Sequence, residues 1–250
     1  MTRTAGEVLE EMTARLAPGP DANPLLPLIA SGAADLDTLA VLAMEQRLVI
    51  AADLLSFRHL AERSAVEDPA CAPFFEMLAE GEEVAAGRLG ALAQACGVDE
   101  ERATAYEPLP GCQAYPSYVA RLALGAVPAD VVLALSANFA SWGGYCATIA
   151  KSLRDHYAFT VEACGFFDFF AEPAPELEER AKGRYRRGWT RGGSTRRRPT
   201  ATGDCCRATN RCSGPHWRAP ERGAGNCATS HDVPAGAHGR EGYGAWAKRP

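Results

Sequence analysis

Apolar residues recur along most of the first 180 positions at intervals of three and four, the spacing of one face of an α-helix. From Ala5 to Leu16 that face carries Val8, Leu9, Met12 and Leu16, and Pro18, Gly19 and Pro20 end the pattern. Asn23-Pro24 opens a short stretch from Leu25 to Ala30, closed by Ser31-Gly32. Asp35 or Asp37 then caps a long helix through Arg63. The next helix runs from Phe74 to Cys96, with Gly97 as its C-terminal stop. A short piece from Asp99 to Tyr106 and a loop holding Pro108, Pro110 and Gly111 lead to a helix from Ala114 to Leu124. Pro128 suits the first turn of the following helix, which continues to about Arg154. That helix is apolar on most sides (Val131, Val132, Leu133, Leu135, Phe139, Trp142, Ile149), which predicts a central place in a bundle. Phe159 to Phe170 forms another apolar helix, and Glu176 to Ala181 begins one more. No segment alternates with period two, and no repeat of roughly 30–45 residues is present. The pattern predicts an all-α bundle of seven or eight helices.

Charge divides the chain where the pattern stops. Residues 1–180 hold 11 Lys+Arg against 27 Asp+Glu, a balance of −16, whereas residues 181–250 hold 15 against 4, a balance of +11. The last 70 residues contain 13 Arg and 12 Gly, one Val, and no Leu, Ile, Met or Phe. A segment without aliphatic residues cannot offset the entropy lost on ordering, on the order of 1–2 kcal/mol per residue. Residues 183–250 are therefore expected to be a disordered Arg/Gly-rich tail. It reads three ways: a basic arm for acidic partners, a zinc site from Cys205, Cys206, Cys212, His216, Cys227 and His231, or an out-of-frame translation of a GC-rich gene. The zinc reading lacks any CxxC spacing, and the composition favours the last.

The acidic body argues against nucleic acid as a partner, since phosphates need a cationic surface. No apolar run reaches the length of a membrane span, and Glu7, Glu10 and Glu11 stand where a signal peptide would be apolar. A cytoplasmic location is the expectation. Cys71, Cys96, Cys112, Cys146 and Cys164 lie singly among apolar neighbours and are expected to be reduced and buried.

Three stretches carry more than periodicity. Asn23-Pro24-Leu25-Leu26 is followed by Ile29, Gly32 and Gln46. Phe74 to Gly97 contains Glu82 and Glu83 and ends in Ala-Cys-Gly-Val. Tyr115-Pro-Ser-Tyr118 leads through ANFASWGGYCATIAKSL to HYAFTVEACGFFDFF. In order and spacing these resemble the TenA/PqqC (heme-oxygenase-like) family over residues 22–181, leaving 1–21 as an N-terminal helix and linker. The resemblance implies a heme-oxygenase-like helical bundle, homo-oligomeric in many members, with an internal pocket for a small ligand. Thiaminase-type members use a cysteine nucleophile on the long apolar helix; its place falls near Trp142 here, with Cys146 about one turn further. The aspartate those enzymes carry after the glutamine is Arg47. The diiron branch carries imidazoles near the positions of Arg88, Phe170 and Glu178, and the body has only His59 and His156. No cofactor and no metal are therefore expected, and catalytic residues are not assigned.

The ligand-binding candidates are Glu45, Tyr118, Trp142, Tyr145 and Cys146. Trp142 and Tyr145 are three apart and share a helix face. Gly143 and Gly144 beside them weaken the helix by about 1 kcal/mol each relative to Ala, which fits a close approach of backbone or ligand. Each candidate has a plainer reading. Glu45 reads as a partly exposed helix residue beside Arg47, Glu82-Glu83 as a solvated face, His59 and His156 as surface residues, and Trp142, Tyr145 and Tyr118 as core.

Overall fold

In a computed structural model of the chain, residues 4–16 and 23–188 are described; they are all-helical. The expectations for residues 189–250, the zinc candidates included, lie outside the described residues. Nine helices are present among the described residues: α1 (Ala5–Leu16), α2 (Leu25–Ala30), α3 (Leu36–Glu67), α4 (Ala72–Ala95), α5 (Glu100–Ala105), α6 (Ala114–Gly125), α7 (Pro128–Tyr157), α8 (Val161–Ala171) and α9 (Pro175–Gly188). None is long and apolar enough to cross a membrane.

Local chemistry sets the boundaries. The Asp35 carboxylate accepts from the Thr38 amide at 2.7 Å and starts α3; Asp99 does the same for Arg102 at α5, and Thr160 for Ala163 at α8. Sequence periodicity placed the start of α8 at Phe159, but the Thr160 cap begins the helix at Val161. Pro128 occupies the first turn of α7. At the far end of α7, Ala158 adopts a left-handed conformation (φ 55°), and the Phe159 amide reaches back to the Leu153 carbonyl at 3.1 Å. Gly32 turns α2 toward α3 at φ 72°, and a Cβ there would lie 3.0 Å from the His156 side chain.

α3 packs along α4, α8 packs on both α4 and α7, and α6 lies against α3. Leu9, Met12 and Leu16 of α1 are buried in the core, and the helix packs on α7 and α9. The core falls into two clusters. One gathers α1, α6, the first half of α7 and the aromatic pair Phe74 and Phe75. The other gathers α2, the first half of α3, the second half of α7 and the Phe166–Phe167 region of α8.

Candidate functional site

A cavity of about 120 Å³ lies where the two clusters meet. Ile29, Leu42, Ile50 and Ile149 come to its wall from one cluster, and Tyr115 and Phe139 belong to the edge of the other. α3 faces it with Leu42, Gln46, Val49, Ile50 and Asp53, a stripe at helical spacing. α7 contributes Asn138, Phe139, Ser141, Trp142, Tyr145 and Ile149. Glu82 of α4, Phe170 of α8, Cys112, and Asn23, Leu25 and Leu26 around the start of α2 complete the wall. The volume suits one ring: an apolar cavity of roughly 150 Å³ takes benzene.

Trp142 packs its indole against Phe167 and Phe170, with ring centroids 6.5 and 6.1 Å away. The glycine after it has a clear purpose. A Cβ on Gly143 would lie 3.0 Å from the Phe170 carbonyl oxygen, so the end of α8 reaches α7 only because no side chain is there. Gly144 meets nothing within 4 Å.

The polar side of the cavity is unusual. Asp53 and Glu82 are 3% and 5% exposed, project from adjacent helices, and share the wall with no Lys, Arg or His. Burial pushes the Asp53 carboxyl up to about 8, although the Tyr115 hydroxyl donates to it and pulls the other way. The Glu82 carboxyl is raised well above the usual range, first by burial and then by the charge of Asp53. Asn138 Nδ2 in turn donates to the Tyr115 hydroxyl at 3.3 Å, so a short chain of donors runs from α7 through α6 to Asp53. Asp53 Oδ1 is buried with no hydrogen-bond partner. Asp53 thus keeps its proton at neutral pH, Glu82 is shifted in the same direction, and the two can donate, accept or release a proton toward a molecule in the cavity.

No family model matches the chain, and no curated protein does.

Trp142 and Tyr145, two of the five ligand candidates named from sequence, stand on the cavity wall. The other three are placed elsewhere. Glu45 is fully buried, not partly exposed, and its carboxylate accepts from the Tyr106 hydroxyl and the Leu109 amide, both at 2.6 Å, and from Gln113 Nε2 at 2.9 Å. It ties the segment between α5 and α6 to α3, with Cys112 of that segment on the wall. Tyr118 is in the core cluster on α6, and Cys146 is fully buried in the other. Burial holds the Cys146 thiol well above its ordinary range, the opposite of what a nucleophile needs. Cys112 does face the cavity, but burial and then the Glu45 charge push its thiol up to about 12.

Glu82-Glu83 is not one solvated face. Glu83 is exposed and pairs with Arg58, while Glu82 points inward. His59 and His156 are exposed. Arg88 stacks over Phe169, its guanidinium 5.0 Å from the ring centroid. Among the described residues no three of His, Cys, Asp and Glu converge as a metal ion would need.

Sequence reasoning passed over Asp53. Its signal was available: Val49, Ile50 and Phe57 lie one turn away on either side, so the carboxylate sits on the apolar stripe itself.

Proposed function

We propose that residues 22–181 form a TenA/PqqC-like domain of the heme-oxygenase-like type that binds a small aromatic or heterocyclic molecule in the central cavity, in cofactor or secondary metabolism. The observation that carries this is the cavity itself: its wall combines the aromatic residues Trp142, Tyr145, Phe139 and Phe170 with the Asp53–Glu82 pair, which offers directional polar groups. The segments that resemble the family supply much of this wall, from Asn23, Leu25, Leu26, Ile29 and Gln46 to Glu82 and the long apolar helix. Thiol chemistry has little support, because neither Cys112 nor Cys146 is activated. Two carboxyls without an imidazole on the wall do not fit a diiron centre either. Proton transfer at Asp53 and Glu82 is the chemistry the wall supports if the bound molecule is turned over.

The test is a thermal-shift and calorimetric screen of the whole chain against single-ring compounds: pyrimidines, thiazoles, pyridines and benzamide. Binders should raise the unfolding midpoint and change Trp142 emission, read as the difference from the Trp142→Phe protein. Trp142→Phe should keep the fold and bind about tenfold more weakly. If no compound of the series shifts the midpoint or the emission, the cavity is not a ligand site.

A further inference from the structure

Two carboxyls buried side by side are unfavourable unless something neutralises them. Asp53 and Glu82 reach the cavity from α3 and α4 with no cation near them. The groups facing Asp53 that can titrate are Glu82 from α4, Tyr115 from α6, Tyr145 from α7 and Cys112 from the segment before α6; α2 and α8 bring none to the wall. None of these is positive in any state. The exposed arginines nearby are engaged elsewhere: Arg58 with Glu83, Arg47 with the Ala103 carbonyl at 2.7 Å, and Arg88 over Phe169.

Asp53 Oδ1 is buried, and no group of the wall donates to it. An anionic ligand would meet two carboxyls and no positive partner. A neutral ring without an N–H or O–H group would leave Oδ1 without a bond, and a neutral donor would bond it but bring no charge to offset an ionised carboxylate. A cationic N–H donor satisfies both requirements at once, and the four aromatic residues of the same wall suit the ring of such a cation.

We propose that the cavity takes a small organic cation: one aromatic ring carrying an ammonium or amidinium group whose N–H bonds donate to Asp53 and Glu82. This rests on the reading of the cavity as a ligand site and names the class of ligand. Binding exchanges charge for charge. The cation enters, a carboxyl of the pair gives up its proton, and the proton leaves to the buffer.

Benzamidine and benzamide test it, since they share shape and differ in charge. Calorimetry on the whole chain near pH 6.5, in two buffers of different ionisation enthalpy, reads affinity and proton release together. Benzamidine should bind at least tenfold more tightly than benzamide and release about one proton. Asp53→Asn, nearly isosteric with the protonated acid, should weaken benzamidine at least tenfold, Glu82→Gln should act the same way, and the double variant should abolish the proton release. Should either variant fold poorly, the matched pair and the proton count on the unmodified protein still decide. Equal affinity for the two compounds overturns the inference, and so does benzamidine binding with no proton release. No benzamidine binding overturns it too. If the neutral rings bind in that case, the ligand site stands and only its charge preference falls; if they do not, both fall.

Discussion

Replacing Asp53 with Asn should change how the stability of this protein depends on pH. The folded carboxyl titrates near 8, against an ordinary value of 3.8, because burial disfavours its charged form. Between those two values the folded protein keeps a proton that the unfolded chain has released. Acid therefore favours the fold, and stability falls as pH rises from about 4 to about 8, by up to roughly 1.4 kcal/mol per pH unit from this one group. From pH 4.5 to 7.5 that amounts to roughly 4 kcal/mol. Water entering the cavity and local relaxation reduce it, so about 2 kcal/mol is the working figure. In a domain of this size 1 kcal/mol moves the midpoint by about 2–4 °C, which gives a change of about 4–8 °C. Asn carries no titrating proton, and its carbonyl oxygen can still accept from Tyr115. The gap in midpoint between Asp53→Asn and the unmodified protein should therefore widen with pH, in favour of the variant. Glu82 adds a slope of the same sign to both proteins, smaller in the variant because the Asp53 charge no longer raises it, so the gap reports Asp53 together with its coupling to Glu82. Thermal unfolding followed by circular dichroism at half-unit steps in matched ionic strength reads it. A gap that stays constant within about 1 °C across the range would show that Asp53 is ionised in the fold and that the cavity holds its charge without help.

Glu45→Ala leaves the Tyr106 hydroxyl, the Leu109 amide and the Gln113 amide without an acceptor, so it should lose about 3 kcal/mol or more by denaturant titration, and the Leu109 amide should exchange faster; Glu45→Gln should lose less. Gly143→Ala pushes a methyl against the Phe170 carbonyl and should destabilise by about 1–3 kcal/mol, whereas Gly144→Ala, with open space around it, should gain up to about 1 kcal/mol from helix propensity. The two glycines together separate close packing from propensity, and equal effects would refute the close approach. Ala158→Gly should stabilise the fold by about 1 kcal/mol, because a Cβ at φ 55° is strained; an unchanged midpoint would show that the turn relaxes around Ala.

The helices were legible because their signals are local. Caps at Asp35 and Asp99, the stop at Gly97 and the proline at 128 act within a few residues, and periodicity carries the rest. The tight place at Gly143 was also legible, since a glycine pair inside an apolar helix asks for a reason. The polar lining was harder. Glu45 and Asp53 lie about two turns apart on one helix; Asp53 is flanked by Ala52 and Leu54, whereas Glu45 is followed by Gln46 and Arg47. Which one meets donors and which one meets a cavity is decided by partners about 60 positions away for Glu45, and on α4 and α6 for Asp53. Periodicity leaves the burial of Glu45 open and does not single out Asp53, and it does not report what faces either carboxylate. Tyr118 fell to the same ambiguity. It lies one turn from Tyr115 on α6, yet Tyr118 is in the core cluster while Tyr115 stands on the cavity wall.

The stripe on α3 has a consequence for how this protein could change over time. Leu42, Gln46, Val49, Ile50 and Asp53 face the cavity, while Glu45, one place from Gln46, fastens the neighbouring segment. Adjacent codons thus control different properties. Drift at 46, 49 or 53 would alter what the interior prefers and leave the scaffold intact. Drift at 45 would loosen the scaffold whatever the interior held. Cavity lining and architecture are interleaved along one helix yet separately adjustable, so, on the proposed reading of the cavity, single substitutions could exchange one guest molecule for another without passing through an unfolded ancestor.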